Sequence, residues 1–219
     1  SRHKLNNKLT IVTVPQPGTE TVTVMVLVPV GSRQERPSTN GISHFLEHLM
    51  FKGTTKRPST LELTKQLDAV GAEYNAFTSK DTTIYYIKVA ARQLELALDL
   101  FSDMLFHSLF DPTEIDRERG VILEELNMYE DNPLMHVDTL FEMSLFGKTH
   151  PLGYDIGGKK VNIKQLPRAA FMRYKQEHYA PAAMHLVIAG NIDKQAGRCI
   201  KQYFGQQPAG RPAQAVKRF

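Results

Sequence analysis

Apolar and polar positions change period several times along the chain, and each change marks an element. Over 10–14 and 21–30, β-branched residues alternate or follow one another as in strands; Pro15, Pro17 and Gly18 part the two runs, and Gly31 ends the second. Ile42, Phe45, Leu46 and Leu49 share one helix face, which predicts a helix over 42–51 opened by Asn40-Gly41 and stopped by Gly53. Ser59-Thr60 caps a second helix over 61–70, and Gly71 terminates it. Residues 73–77 and 82–90 read as antiparallel strands around a polar turn, the latter with the clearest strand pattern in the chain.

The remainder is mostly helical. An amphipathic stretch covers 94–105. A further helix opens at Asp111-Pro112, with proline at its first position, and runs until Asn132-Pro133 interrupts it. Helices are predicted over 135–145, 163–178 and 194–204, a loop at 150–158 and a strand at 184–189. Residues 207–216, rich in Pro, Ala and Gly without periodicity, read as a linker. Two pairs of strands close in sequence and no regular βαβ alternation predict an α+β domain: a mainly antiparallel sheet with helices packed on one side.

Composition narrows the function classes. With 219 residues, 42% hydrophobic and 23% charged, the chain has ample material for a core. Its longest apolar run is too short to span a bilayer. Cys199 is the only cysteine, so an internal disulfide and a cysteine-based metal site are both excluded. The net charge of +4 is scattered, without the aromatic or motif support of a nucleic-acid face.

The chemistry concentrates in His44-Phe45-Leu46-Glu47-His48. Imidazoles at i and i+4 lie on one helix face and can reach one metal ion, with the Glu47 carboxylate on the adjoining flank beside a metal-activated water. A catalytic zinc takes three protein ligands. The helix from Asp111 offers carboxylates for the third; Glu118 and Glu125, seven residues apart, share a face, and spacing alone does not choose between them.

His-Phe-Leu-Glu-His-Leu-Met-Phe-Lys-Gly-Thr, followed much later by Glu-Arg-Gly-Val-Ile-Leu-Glu-Glu-Leu, resembles the pitrilysin family of metallopeptidases. Within it, the likeness is to bacterial relatives of the mitochondrial processing peptidase beta subunit, and it extends from Leu9 to about Pro208. The resemblance implies one Zn2+ held by His44, His48 and Glu125, with Glu118 supporting the site from behind and Glu47 as the catalytic base. It implies a substrate that is an extended, unfolded peptide laid on a strand edge at Asn75, Ala76 and Phe77. Glu130, Asp131, Asp138 and Glu142 are candidates for reading a basic segment, or a solvated helix face. Active family members add a homologous domain that supplies an Arg and a Tyr; Arg173-Tyr174 lies on a helix of the first domain and does not match that element.

The expected organisation is therefore a zinc-binding peptidase domain over 1–207 and a linker-like tail over 208–219, leading toward a second domain or partner subunit. The expected activity is that of a zinc endopeptidase or its zinc-bearing half. The alternative is a non-catalytic, substrate-presenting subunit; such subunits usually lack motif residues that are all present here. The bacterial likeness sets the cytoplasm as the expected compartment, with the periplasm and the mitochondrial matrix as alternatives.

Overall fold

β3 (Thr21–Val28) and β5 (Thr83–Ala90), which carry the strongest strand patterns, pair antiparallel inside the sheet. The computed structural model describes residues 1–211. Around that pair are β1 (Arg2–Lys4), β2 (Thr10–Pro15), β4 (Glu73–Thr78) and β6 (His185–Gly190). The helices are α1 (Ile42–Leu49), α2 (Thr60–Asp68), α3 (Leu94–His107), α4 (Pro112–Asp131), α5 (Pro133–Phe146), α6 (Lys160–Gln165), α7 (Arg168–His178) and α8 (Ala196–Phe204). Among the described residues the six strands form one sheet in the order β1-β2-β6-β3-β5-β4.

Every pairing is antiparallel except β2 with β6. Successive side chains on a strand point to opposite faces, so alternate residues share one. Val22, Val24, Val26 and Val28 of β3, Tyr85, Ile87 and Val89 of β5, and Leu186 and Ile188 of β6 are buried together. α1 and α3 pack against this sheet. Met25, Leu27 and Tyr86 point the other way and stay half-buried.

Three features differ from the sequence pattern. The neighbours β2 and β3 do not pair; β6 enters between them, parallel to one and antiparallel to the other. The helix predicted over 163–178 is two, because proline lacks an N–H and disfavours helical backbone in the residue before it. Leu166, with ψ 115°, leaves the helical region, and Pro167 opens α7. β1, polar and exposed, has no strand signature of its own and is ordered by pairing Arg2 with Val12 and Lys4 with Thr10. Residues 207–211 carry no helix or strand, and 212–219 of the expected tail lie outside the described residues.

Candidate metal and peptide site

α1 carries the His-x-x-Glu-His motif, and its start is fixed by contacts that only part of the sequence discloses. Gly41 (φ +101°) and Gly158 (φ +87°) lie backbone to backbone; a Cβ on Gly158 would stand 2.3 Å from Gly41 Cα, so both need glycine for conformation and for space. The buried Glu35 carboxylate accepts from the Gly41 and Ser43 N–H groups, each at 2.8 Å, and from the Asn40 side chain at 2.9 Å. It thus satisfies helix-start donors that no residue of the helix itself reaches. Burial pushes its carboxyl up to about 7, against the opposing effect of these hydrogen bonds. Phe45 and Leu46 anchor the helix in the core, Phe45 edge-on to Phe171 at 4.7 Å.

That anchoring aims His44 and His48 outward, toward α4. α4 starts at an Asp111 cap on the Thr113 N–H (2.8 Å), buries Ile115, Ile122 and Leu126, and presents Glu118 and Glu125 from the same side. His44 Nε2 and His48 Nε2 are 3.1 Å apart, and the Glu125 carboxylate oxygens lie 3.6 and 3.5 Å from them. Ligands about 2.0–2.2 Å from one ion at tetrahedral angles stand roughly 3.3–3.6 Å from each other, so the donors fit a single zinc and leave a fourth position open. The chemistry of the set agrees. Burial, then the neighbouring His48, pulls His44 down to about 4, keeping it neutral with a free lone pair. Its Nδ1 is buried without a hydrogen-bond partner among the described residues, so Nε2 alone engages neighbours.

Glu118 sits behind His48 and is buried. It accepts from His48 Nδ1 at 2.8 Å and from Lys52 Nζ at 2.7 Å. Burial would raise the Glu118 carboxyl, but the hydrogen bonds from His48 and Lys52 outweigh it and hold the group below its ordinary range. Burial likewise disfavours charged His48, yet the bond to Glu118 and the nearby carboxylates prevail and raise it. A carboxylate on Nδ1 places the ring proton there and leaves Nε2 to face the centre. Arg117 and Arg119, the nearest basic residues in sequence, are engaged with Glu114 and Asp116 instead.

Glu47 turns from the histidines toward β4, where the Thr78 hydroxyl donates to its Oε2. Burial raises the Glu47 carboxyl, partly offset by that hydrogen bond. β4 is the last strand of the sheet, and Asn75, Ala76, Phe77 and Thr78 line a groove of about 480 Å³ that also contains the candidate donors His44, His48 and Glu125. The Ala76 N–H is held at 2.8 Å by the side chain of Asn75, and Phe77 is 47% exposed. The opposite wall comes from α5 and the loop around Asp155. Of the acidic candidates, Glu130 and Glu142 line the groove, but each is ion-paired, with Lys160 at 2.6 Å and Lys80 at 2.7 Å. Asp131 and Asp138 are not among its lining residues. Tyr174 is buried elsewhere, 2.7 Å from the Ser43 hydroxyl.

Sequence reasoning missed Lys52, Lys80 and Glu35 as parts of this site, and the contact of Thr78 with Glu47. Lys52 was within reach, being four residues beyond His48 on the same face, and Thr78 two residues beyond Ala76 on the same strand face. Lys80 and Glu35 had no local signal.

Residues 10–156 match the model described as Insulinase (Peptidase family M16), and 165–219 match the Peptidase M16 inactive domain. The chain belongs to the M16 peptidase family, the insulinase and pitrilysin family of zinc metalloproteases. It is 38% identical to the uncharacterized zinc protease YmxG of Bacillus subtilis, covering 95% of this chain and 50% of that protein. It is 42% identical to an uncharacterized zinc protease of Streptomyces coelicolor, covering 88% and 41% respectively. Among solved structures, a protease from Helicobacter pylori superposes with a TM-score of 0.91 at 27% identity, covering all of this chain and 52% of that one. The first half of the periplasmic protease PqqL from Escherichia coli gives 0.90 at 26%, covering 99% and 48%. The chain therefore spans about half the length of the curated relatives it matches. The second matched segment includes β6, which lies between β2 and β3, so residues of both segments share one sheet. No helix among the described residues is long and apolar enough to cross a membrane.

Proposed function

We propose that this chain is the metal-bearing part of a zinc endopeptidase that hydrolyses extended, unfolded peptides. The observation that carries the reading is the convergence of His44, His48 and Glu125 on one point of a groove whose wall is the free edge of β4. In this reading those three residues hold the ion and Glu118 orients His48. Bound there, zinc supplies Lewis acidity for the scissile carbonyl and for water. Asn75, Ala76 and Phe77 receive the peptide as an added strand, which gives affinity through main-chain hydrogen bonds with little demand on side chains. The Asn75 side chain gives up the Ala76 N–H to the incoming backbone. Glu47 takes a proton from the attacking water at Oε1, the oxygen that Thr78 leaves free, and delivers it to the departing amine nitrogen.

Full turnover, in this reading, requires a second homologous domain. The relatives are about twice as long. α5 also keeps Leu134, Val137, Phe141 and Leu145 at least half exposed, an apolar surface suited to covering.

Metal analysis and hydrolysis of a quenched-fluorescent unfolded peptide test this. The expected result is one zinc per chain and slow hydrolysis by the chain alone that falls about 10²–10⁴-fold in Glu47→Gln with zinc retained. Failure to bind zinc, or hydrolysis indifferent to Glu47→Gln, would overturn it.

A further inference from the structure

Beyond Thr78 the free edge of β4 runs into the turn 79–81, and there Lys80 joins three walls of the groove at one ammonium. Its Nζ is 2.7 Å from Glu142 Oε2 on α5 and donates to the Tyr154 carbonyl in the loop that follows. Both Lys80 and Glu142 line the groove, and their side chains are 16% and 38% exposed, so the contact is partly withdrawn from water. The turn itself is held in place. Ser32 N–H donates to the Ser79 carbonyl at 3.2 Å, Arg33 N–H to the Lys80 carbonyl at 2.9 Å, and Arg33 pairs with Asp81 at 2.6 Å. A smaller hollow of about 220 Å³, which shares Glu47, His48, Asn75 and Ala76 with the groove, continues to Phe51 and Lys52. The groove thus extends both ways from Glu47, with this three-element contact at the Thr78 side.

We propose that the Lys80–Glu142–Tyr154 contact is a specificity-determining end-stop: it limits how far a bound peptide reaches past Thr78 and so sets the cleavage position relative to one peptide end. This rests on the peptide-groove reading above. A strand added to β4 gains affinity with each residue that pairs along the edge. Past Thr78 the next residue meets an ammonium already satisfied by a carboxylate and a carbonyl, and displacing it costs both interactions. Extension at that end therefore stops yielding affinity, whereas extension toward Asn75 does not meet the stop.

The test uses the zinc-loaded chain carrying Glu47→Gln, so that peptides are held uncut. Fluorescein-labelled unstructured peptides with a common core are lengthened residue by residue at one end, then separately at the other. The readout is the ratio of affinities, long over short, for each end. The expected result is a ratio that plateaus or drops for one end only, and that rises about tenfold when Lys80→Met or Glu142→Gln is added. Lys80→Arg restores the plateau, which a general loosening of the fold would not do. Two outcomes overturn the inference. If the peptides bind but the length profile is the same in every variant, the end-stop is wrong and the groove stands. If no peptide binds at all, the groove reading fails and the end-stop with it.

Discussion

α1 and α5 wall the same groove, and they are held in opposite ways. α1 buries six of its eight residues, takes a carboxylate from outside at its start and packs between sheet, α4 and α7. α5 is just as rich in Leu, Phe, Met and Val, yet none of its fourteen residues is buried. It is capped by Asn132 at one end and ion-paired through Glu142 to Lys80 near the other. His44, Glu47 and His48 sit on the element whose position is determined many times over; Glu142 and other residues lining the groove sit on the one that is not. Apolar composition alone does not place a helix in a core. What places it is a stripe that coincides with another apolar surface of the same chain.

The sharpest way to break this contrast is to remove a ring from each helix. Phe45→Ala deletes a fully buried side chain and is expected to cost about 3–5 kcal/mol of unfolding free energy in denaturant titration.

Next in size is the pH dependence conferred by Glu35. Its carboxyl is raised from 4.5 to about 7 in the folded chain. Its stabilising contribution is therefore complete below the unfolded value and lost as pH rises through the folded one. Across pH 4.5 to 7 the loss is on the order of 3 kcal/mol. Comparing the metal-free chain with Glu35→Gln isolates it, since the histidines titrate alike in both; the variant is expected to show a flatter stability profile over that window. An identical slope would mean that Glu35 is not held protonated by burial.

Glu118→Gln addresses the support behind His48. Zinc affinity measured by chelator competition is expected to fall about 10–100-fold, with the helical signal unchanged. The smallest effect belongs to α5. Phe141→Ser, at a ring 64% exposed, is expected to change stability by no more than about 0.5 kcal/mol. A cost there matching that of Phe45→Ala would mean that α5 is covered in solution and would erase the comparison.

Much of the fold was legible because its signals are local. The alternation in β5, the face formed by Ile42, Phe45, Leu46 and Leu49, and the Asp111-Pro112 start of α4 each fall within a few residues. Two differences have different origins: β6 entering between β2 and β3 is a long-range pairing with no local mark, whereas the break at Pro167 has a local mark that the helical pattern on both sides of it masks. In the site, His44, Glu47 and His48 could be paired from helical spacing alone. The preference for Glu125 over Glu118 could not, since both share one face of α4; it needed the family likeness.

By itself the sequence determined the elements, the absence of disulfide chemistry and the presence of a metal-ligand pair with a carboxylate beside it. These follow from side-chain type and periods of two and 3.6 residues, which the backbone imposes on any chain. Helical spacing left open which α4 carboxylate faces the histidines and which lies behind them, and the tertiary structure places Glu125 in front and Glu118 behind. It also brought Glu35 to the start of α1, turned Glu47 to Thr78 and closed Lys80 on Glu142. Most of those contacts join residues far apart in the chain, and they exist because the packing of apolar faces holds the polar groups within range.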